Sequence, residues 1–457
     1  MSSTRIWLIR TLPWITAAWV LIQLLSLRLG LLNAFFYDAV HANVQGIDYF
    51  CLPKAFLNLA AGQSAYATFD PPAYGPHTTW YLAHPALAVW LGSWLSLFEP
   101  MTSYGIYTLL SLGMMAACAW LLARESNDEL TRRLIWFLVL GAFPTYWMFF
   151  VGNVQALLVL ALGMLLTGFF RLTYSPAKHG ETLVLAGLLL SLLTKPVVVL
   201  MLPLLLLLKE TRRAAGRALA IYVAVSAIFE WTPALNPQRL RFSQLAWLAL
   251  HPAFVHEKMN IFTNRFQVNM WMRDNSVHWF NLIAQSGARL VHVDVFSLPL
   301  FLDTLSGSHL PGWLFQLPAL LTLVLCFFVA RIPIARLRME AALLLLMATS
   351  LVFFLGYPTV WEYQYTSILP VAAMLLLTGE QNVFYRRWRR WMIGLAACAW
   401  LPSFYIFTEG RPLTSPTMIL IWMDRVLPVT ALFVLMMTVL LRFLWSAQKM
   451  HRVQAGE

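Results

Sequence analysis

Apolar stretches long enough to cross a bilayer recur from one end of this 457-residue chain to the other, and the connectors between them are crowded with arginine. That alternation leaves few folds open. Inside a bilayer every backbone polar group must be paired within the protein, so a spanning chain is either a set of α-helices or a closed barrel. A barrel would show short alternating strands, whereas the runs here are continuous. The chain reads as an all-α polytopic transmembrane helical bundle forming one integral membrane domain. Its residues are 60% hydrophobic and 11% charged, against about 25% charged in soluble domains.

Twelve spans account best for the charges, at about 11–33, 102–123, 134–151, 154–170, 180–194, 196–208, 218–232, 312–330, 340–357, 365–379, 391–407 and 420–444. With this placement, 21 of the 32 Lys and Arg residues fall in connectors on one side, among them Arg132, Arg133, Arg212, Arg213, Arg336 and Arg338. By the positive-inside rule that side is cytoplasmic, both termini included, in the cell (inner) membrane. The net charge of +12 is therefore a topological signal, and nucleic acid is not an expected partner. Both flanks of 180–208 are basic, which requires an even number of crossings. Two short helices that break at Lys195-Pro196 meet that need, because proline disfavours helical geometry in the residue before it. The segment 134–170 is expected to bend similarly at Gly152-Asn153. The first apolar run lacks a small-residue cleavage site and is expected to be a retained helix.

Two connectors are long and rich in polar and aromatic residues, 34–101 and 233–311, and both fall on the extracytoplasmic side. Long loops of this kind usually carry function. Within the first, 84–98 is apolar but short, and reads as a re-entrant or interface-lying helix. Cys118, Cys326 and Cys398 lie in apolar segments and Cys51 alone in the first loop, so no paired disulfide framework is expected. The ten histidines show no ligand-quality spacing, and neither a metal site nor a cofactor is expected.

Asp48, in Gln45-Gly46-Ile47-Asp48-Tyr49-Phe50, follows the first apolar segment and opens the first outer loop. A carboxylate there suits a general base, a role worth about 10²–10⁴ in rate; a plain helix N-cap is the alternative. Lys195 is flanked by leucines and valines. A lysine deep in a bilayer costs about 2.5–3.5 kcal/mol on insertion scales, so it has either a task or a partner. Asn153 and Gln155, at an outer turn, are placed to hydrogen-bond a sugar or a neighbouring loop, although Gly-Asn is also ordinary turn chemistry. Trp361-Glu362-Tyr363 puts a second carboxylate on the face that carries Asp48, among residues that equally serve as interface anchors. In the second loop Lys258, Arg265 and Arg273 are candidates for gripping phosphate or for plain solvated charge.

Taken in order, these elements resemble a known family. They are an Asp-Tyr pair in the first outer loop, Gly62-x-x-x-Tyr66, Tyr81-x-x-His84-Pro85, Gly152-Asn153-Val154-Gln155, Lys195-Pro196, Asn275-Ser276 and a Trp-centred late outer loop. The series looks like the GT-C glycosyltransferases, in particular the bacterial polyprenyl-phosphate-mannose-dependent α-1,2-mannosyltransferases, over roughly residues 10 to 380. The resemblance implies inverting transfer of a sugar, mannose by analogy, from a polyprenyl-phosphate donor to an extracytoplasmic glycan or glycolipid acceptor, at the membrane and without a nucleotide cofactor. It implies Asp48 as the base and a binding role for Tyr49, Tyr81, His84, Asn153, Gln155, Lys195, Arg265, Asn275, Glu362 and Tyr363. One departure is evident: the family's late loop typically carries a histidine where this chain reads Val360-Trp361-Glu362-Tyr363. The competing classes are a lipid-linked sugar flippase, a polysaccharide polymerase or ligase, and a secondary transporter.

Overall fold

The computed structural model describes residues 3–35, 45–62, 65, 74–77, 81, 83–175, 179–195, 197–231, 297–308, 310–357, 360–379, 381–382, 386–402 and 416–455. Among them no β-strand element occurs. The helices, in chain order, are α1 (Ser3–Leu29), α2 (Cys51–Ala60), α3 (Pro85–Leu95, with a π-helical middle), α4 (Pro100–Ala123), α5 (Glu129–Leu140), α6 (Phe143–Val151), α7 (Gln155–Tyr174), α8 (Gly180–Thr194), α9 (Leu202–Leu207), α10 (Arg212–Trp231), α11 (Leu298–Ser306), α12 (Leu317–Ala330), α13 (Ala335–Gly356), α14 (Leu369–Thr378), α15 (Arg389–Cys398) and α16 (Pro416–Ala455).

Among the described residues, six helices are long and apolar enough to span a bilayer: α1, α4, α7, α12 with its preceding turn, α13 and part of α16. The bent pair α5–α6 makes a seventh if counted as one span. Several of the twelve expected spans take other forms. The first is α1, which starts and ends earlier than 11–33. The expected 134–151 is two helices meeting at 40°, and 365–379 is a 3₁₀ turn, Glu362–Ile368, running into α14. Of 391–407 the described helix is the short α15. The break at Lys195 is present. α8 ends at Thr194, Lys195 is extended at φ −136° and ψ 101°, and a 3₁₀ segment, Val197–Met201, leads into α9. The apolar stretch expected at 84–98 forms α3.

Burial patterns sort the helices. α13 is central, with 94% of its spanning window buried, whereas α1 is peripheral at 17%. The buried positions of α1 are Leu12, Thr16, Gln23 and Ser26, on one stripe, while Trp7, Trp14, Leu21, Leu25 and Leu29 face outward. This polar-in, apolar-out arrangement suits a hydrocarbon surround, where side-chain hydrogen bonds and close packing hold helices together. Gln23 Nε2, for instance, donates to the Leu140 carbonyl at 3.1 Å.

Several basic connectors meet acidic partners at one end of the bundle. Arg5 pairs with Asp128, Arg171 with Glu125 at 2.6 Å, and Arg338 with Glu210 at 2.6 Å. α4 runs from the opposite end, where Tyr104 meets the Phe149 and Phe150 carbonyls, down to Glu125. α7 makes the same traverse from Asn153 to Arg171. That opposite end carries Asp48, Lys195 and the 361–364 turn.

Candidate functional site

The site is built on the end of α6. The last carbonyls of a helix lack intrahelical partners, and here the turn 46–49 supplies them. Gly46 N donates to Phe150 O at 2.7 Å, Asp48 N to Val151 O at 2.9 Å and Tyr49 N to Val151 O at 3.2 Å. Gly152 ends α6 with φ 69°, the left-handed conformation that favours glycine. It is also crowded: a Cβ there would lie 2.4 Å from the Tyr49 Cβ. This close approach sets Asp48 beside Asn153, across a sequence separation of 105 residues.

Asn153 is the hub. Its Nδ2 donates to Asp48 Oδ2 at 2.7 Å, and its Oδ1 accepts from Lys195 Nζ at 2.9 Å and from Gln155 N at 3.0 Å. An ammonium and a backbone N–H can only donate, so the amide oxygen must face them and the NH₂ must face the carboxylate. Lys195 Nζ also donates to Gln155 Oε1 at 3.2 Å and stands 5.0 Å from the centre of the Tyr363 ring, a cation–π contact. Gln155 Nε2 reaches the Gln364 carbonyl at 3.3 Å. Tyr107 donates to the Asn153 carbonyl at 3.3 Å. A carboxylate and an ammonium are thus joined through one amide, with Asp48 and Lys195 half-buried and Asn153 and Gln155 buried. For Asn153, the neighbouring-loop partner that its sequence context allowed is the one observed.

Other expected binding residues make protein contacts of their own. Tyr49 is fully buried, lies 4.9 Å from the Tyr107 ring centre and bonds Ser103, which in turn donates to Leu95 O at 2.7 Å. Burial pushes its hydroxyl far above the ordinary phenol range, so Tyr49 is a neutral core residue that supports the turn. Tyr81 donates to His84 O at 2.8 Å. His84 Nδ1 accepts from Ala86 N at 3.1 Å, which leaves the proton on Nε2, paired with Ser226 Oγ at 3.0 Å. His84 N donates to Leu193 O, and the ring lies edge-on to Tyr222 and Phe229. Tyr81 and His84 fasten the loop to α8 and α10.

Glu362 makes no hydrogen bond or ion pair with Lys195 among the described residues. It is fully buried and ion-paired with Arg425 of α16, from which it receives Nη2 at 2.7 Å and Nε at 3.1 Å. Arg425 also donates to the carbonyls of Cys398, at 2.9 Å, and Leu401, capping the end of α15. The Glu362–Arg425 pair anchors the turn that carries Tyr363 and Gln364. Lys195 is therefore not the sole ionisable group deep in an apolar region. Asp424-Arg425, visible in the sequence of the last span, was the signal for the other. The candidate phosphate-gripping residues Lys258, Arg265 and Arg273, together with Asn275, lie outside the described residues. The chain matches no family model, no curated protein and no solved structure.

Proposed function

We propose that this chain is an integral membrane glycosyltransferase, acting on a polyprenyl-phosphate sugar at the end of the bundle opposite the basic connectors. The observation that supports the reading best is the Asp48–Asn153–Lys195 chain. It pairs a base and a cation at fixed separation, where apolar helices border polar loops. The Asp48 carboxylate accepts the proton of an acceptor hydroxyl as that oxygen attacks the anomeric carbon. The bond from the anomeric carbon to the phosphate oxygen breaks with inversion, and the phosphate leaves with its electron pair. The Lys195 ammonium faces the charge that develops there. An anionic phosphate is a good leaving group, so little acid assistance is needed. Mannose is the sugar implied by the resemblance, and the positive-inside pattern supports a reaction outside the cytoplasm.

The test uses purified full-length protein with radiolabelled polyprenyl-phosphate mannose and a glycan or glycolipid acceptor. The wild type should label the acceptor and release polyprenyl phosphate, while Asp48→Asn should fold normally and transfer nothing. Relocation of intact donor across liposomes without transfer would assign a flippase instead. A transporter is the second reading, favoured by the buried Glu362–Arg425 pair beside Asp424 and by the breaks at Lys195 and between α5 and α6. Solute flux into liposomes in the absence of transferase activity would select it.

A further inference from the structure

At the basic end, away from Asp48, the structure holds a cavity of about 570 Å³ lined by Tyr174, Glu210, Arg336 and Gln381, among others. That volume is within the range of small-ligand sites, about 300–1,000 Å³. Its walls come from the end of α7, the connector after α9, the start of α13 and the turn after α14. Those are the levels at which apolar helices give way to charged connectors, where lipid headgroups lie.

Two of the lining groups carry opposite charge. Glu210 accepts from Arg338 through Oε1 at 2.6 Å, and its side chain, 19% exposed, sets a carboxylate in the cavity wall. Arg336 contacts Glu340 through Nε at 3.3 Å, its side chain is 69% exposed, and its terminal amino groups make no hydrogen bond among the described residues. The arginine calls for an anionic acceptor, bidentate for preference. The glutamate calls for an N–H donor. Tyr174, Thr173 and Gln381 add neutral polar groups. We infer that this cavity receives a zwitterionic headgroup that carries a phosphate and a primary ammonium, the phosphate toward Arg336 and the ammonium toward Glu210. The position at the helix ends assigns it to a membrane lipid of the phosphatidylethanolamine type.

Native mass spectrometry of the full-length protein in detergent tests this. Phosphatidylethanolamine is titrated against phosphatidylcholine, whose quaternary nitrogen has no N–H, and against soluble phosphoethanolamine. Retention of phosphatidylethanolamine should exceed that of phosphatidylcholine by about tenfold, the value of one charge-assisted hydrogen bond. Arg336→Gln should lower retention of both lipids alike, since both carry the phosphate, and Glu210→Gln, which keeps an oxygen to accept from Arg338, should abolish the preference. Arg331→Gln, an exposed arginine of the same end outside the cavity lining, should keep it. Equal retention of the two lipids, or an unchanged preference in Glu210→Gln, overturns the assignment. Displacement of the lipid by phosphoethanolamine at matched concentration supports the headgroup chemistry and transfers the site to a soluble ligand. None of these readouts depends on sugar transfer.

Discussion

Gly152→Ala tests the contact on which the whole site is built. Two costs are readable from the structure. The residue has φ 69°, and holding an L-residue in the left-handed region costs about 1–2 kcal/mol. The added Cβ would fall 2.4 Å from Tyr49 Cβ and 3.3 Å from Tyr49 Cα. That contact is with backbone and the first side-chain atom, so no rotamer change relieves it, and overpacking of this kind costs about 1–3 kcal/mol. The sum is about 2–5 kcal/mol, a large fraction of a typical stability of about 5–15 kcal/mol. If the fold yields locally instead, turn 46–49 must move away from α6, and Asp48 then leaves Asn153. Reversible unfolding in mixed detergent gives the stability change, and donor turnover the second readout. Gly152→Asn separates the two costs. Asparagine visits the left-handed region more readily but carries the same Cβ, so it should be nearly as damaging if the Tyr49 contact dominates. Wild-type stability and turnover in Gly152→Ala would refute the argument.

Three further predictions follow from other parts of the molecule. Lys195→Ala should raise the donor KM with a smaller change in kcat; unchanged donor kinetics with lowered stability would make the lysine a structural partner of Asn153 and Gln155. In an Asp424→Asn background, where no second carboxylate can substitute, Glu362→Gln should destabilise by about 3–5 kcal/mol, because it leaves the buried Arg425 charge unpaired; a loss below about 1 kcal/mol would contradict the buried pair. Asp128 caps α5 through Thr131 N at 3.0 Å. Burial raises its pKa, but the Thr131 hydroxyl and amide and the Arg5 guanidinium more than reverse that, so it lies below the ordinary Asp value. Its contribution is therefore fully present above the unfolded value of about 3.9 and is lost as pH falls through the lower folded value. Asp128→Asn should flatten the acid limb of the stability profile, and an unaltered limb would exclude this role.

The residues most legible as a site were those whose chemistry conflicts with their surroundings. Lys195 among leucines and valines demanded a partner, and Asn153, Gln155 and Tyr363 supply it. The Lys195 break was equally readable, because the proline restriction is local. Tyr49, Tyr81 and His84 drew attention through the family resemblance and Glu362 through residue type and position, and neither says which way a side chain turns. Tyr49 enters the core, His84 turns to Ser226 and Glu362 turns to Arg425. Span boundaries at α1, α5–α6 and α15 were set by packing against neighbours, which hydropathy does not register.

The sequence by itself determined that this is a helical chain for a bilayer, with its arginines gathered at one end. Backbone pairing and charge placement act on each segment separately, so they are written in the linear order. Only the tertiary structure decided that Asp48 and Lys195 meet through Asn153, and that Arg425 claims Glu362. Those contacts join segments from 42 to 105 residues apart, and they depend on where the helix ends arrive once the helices have packed.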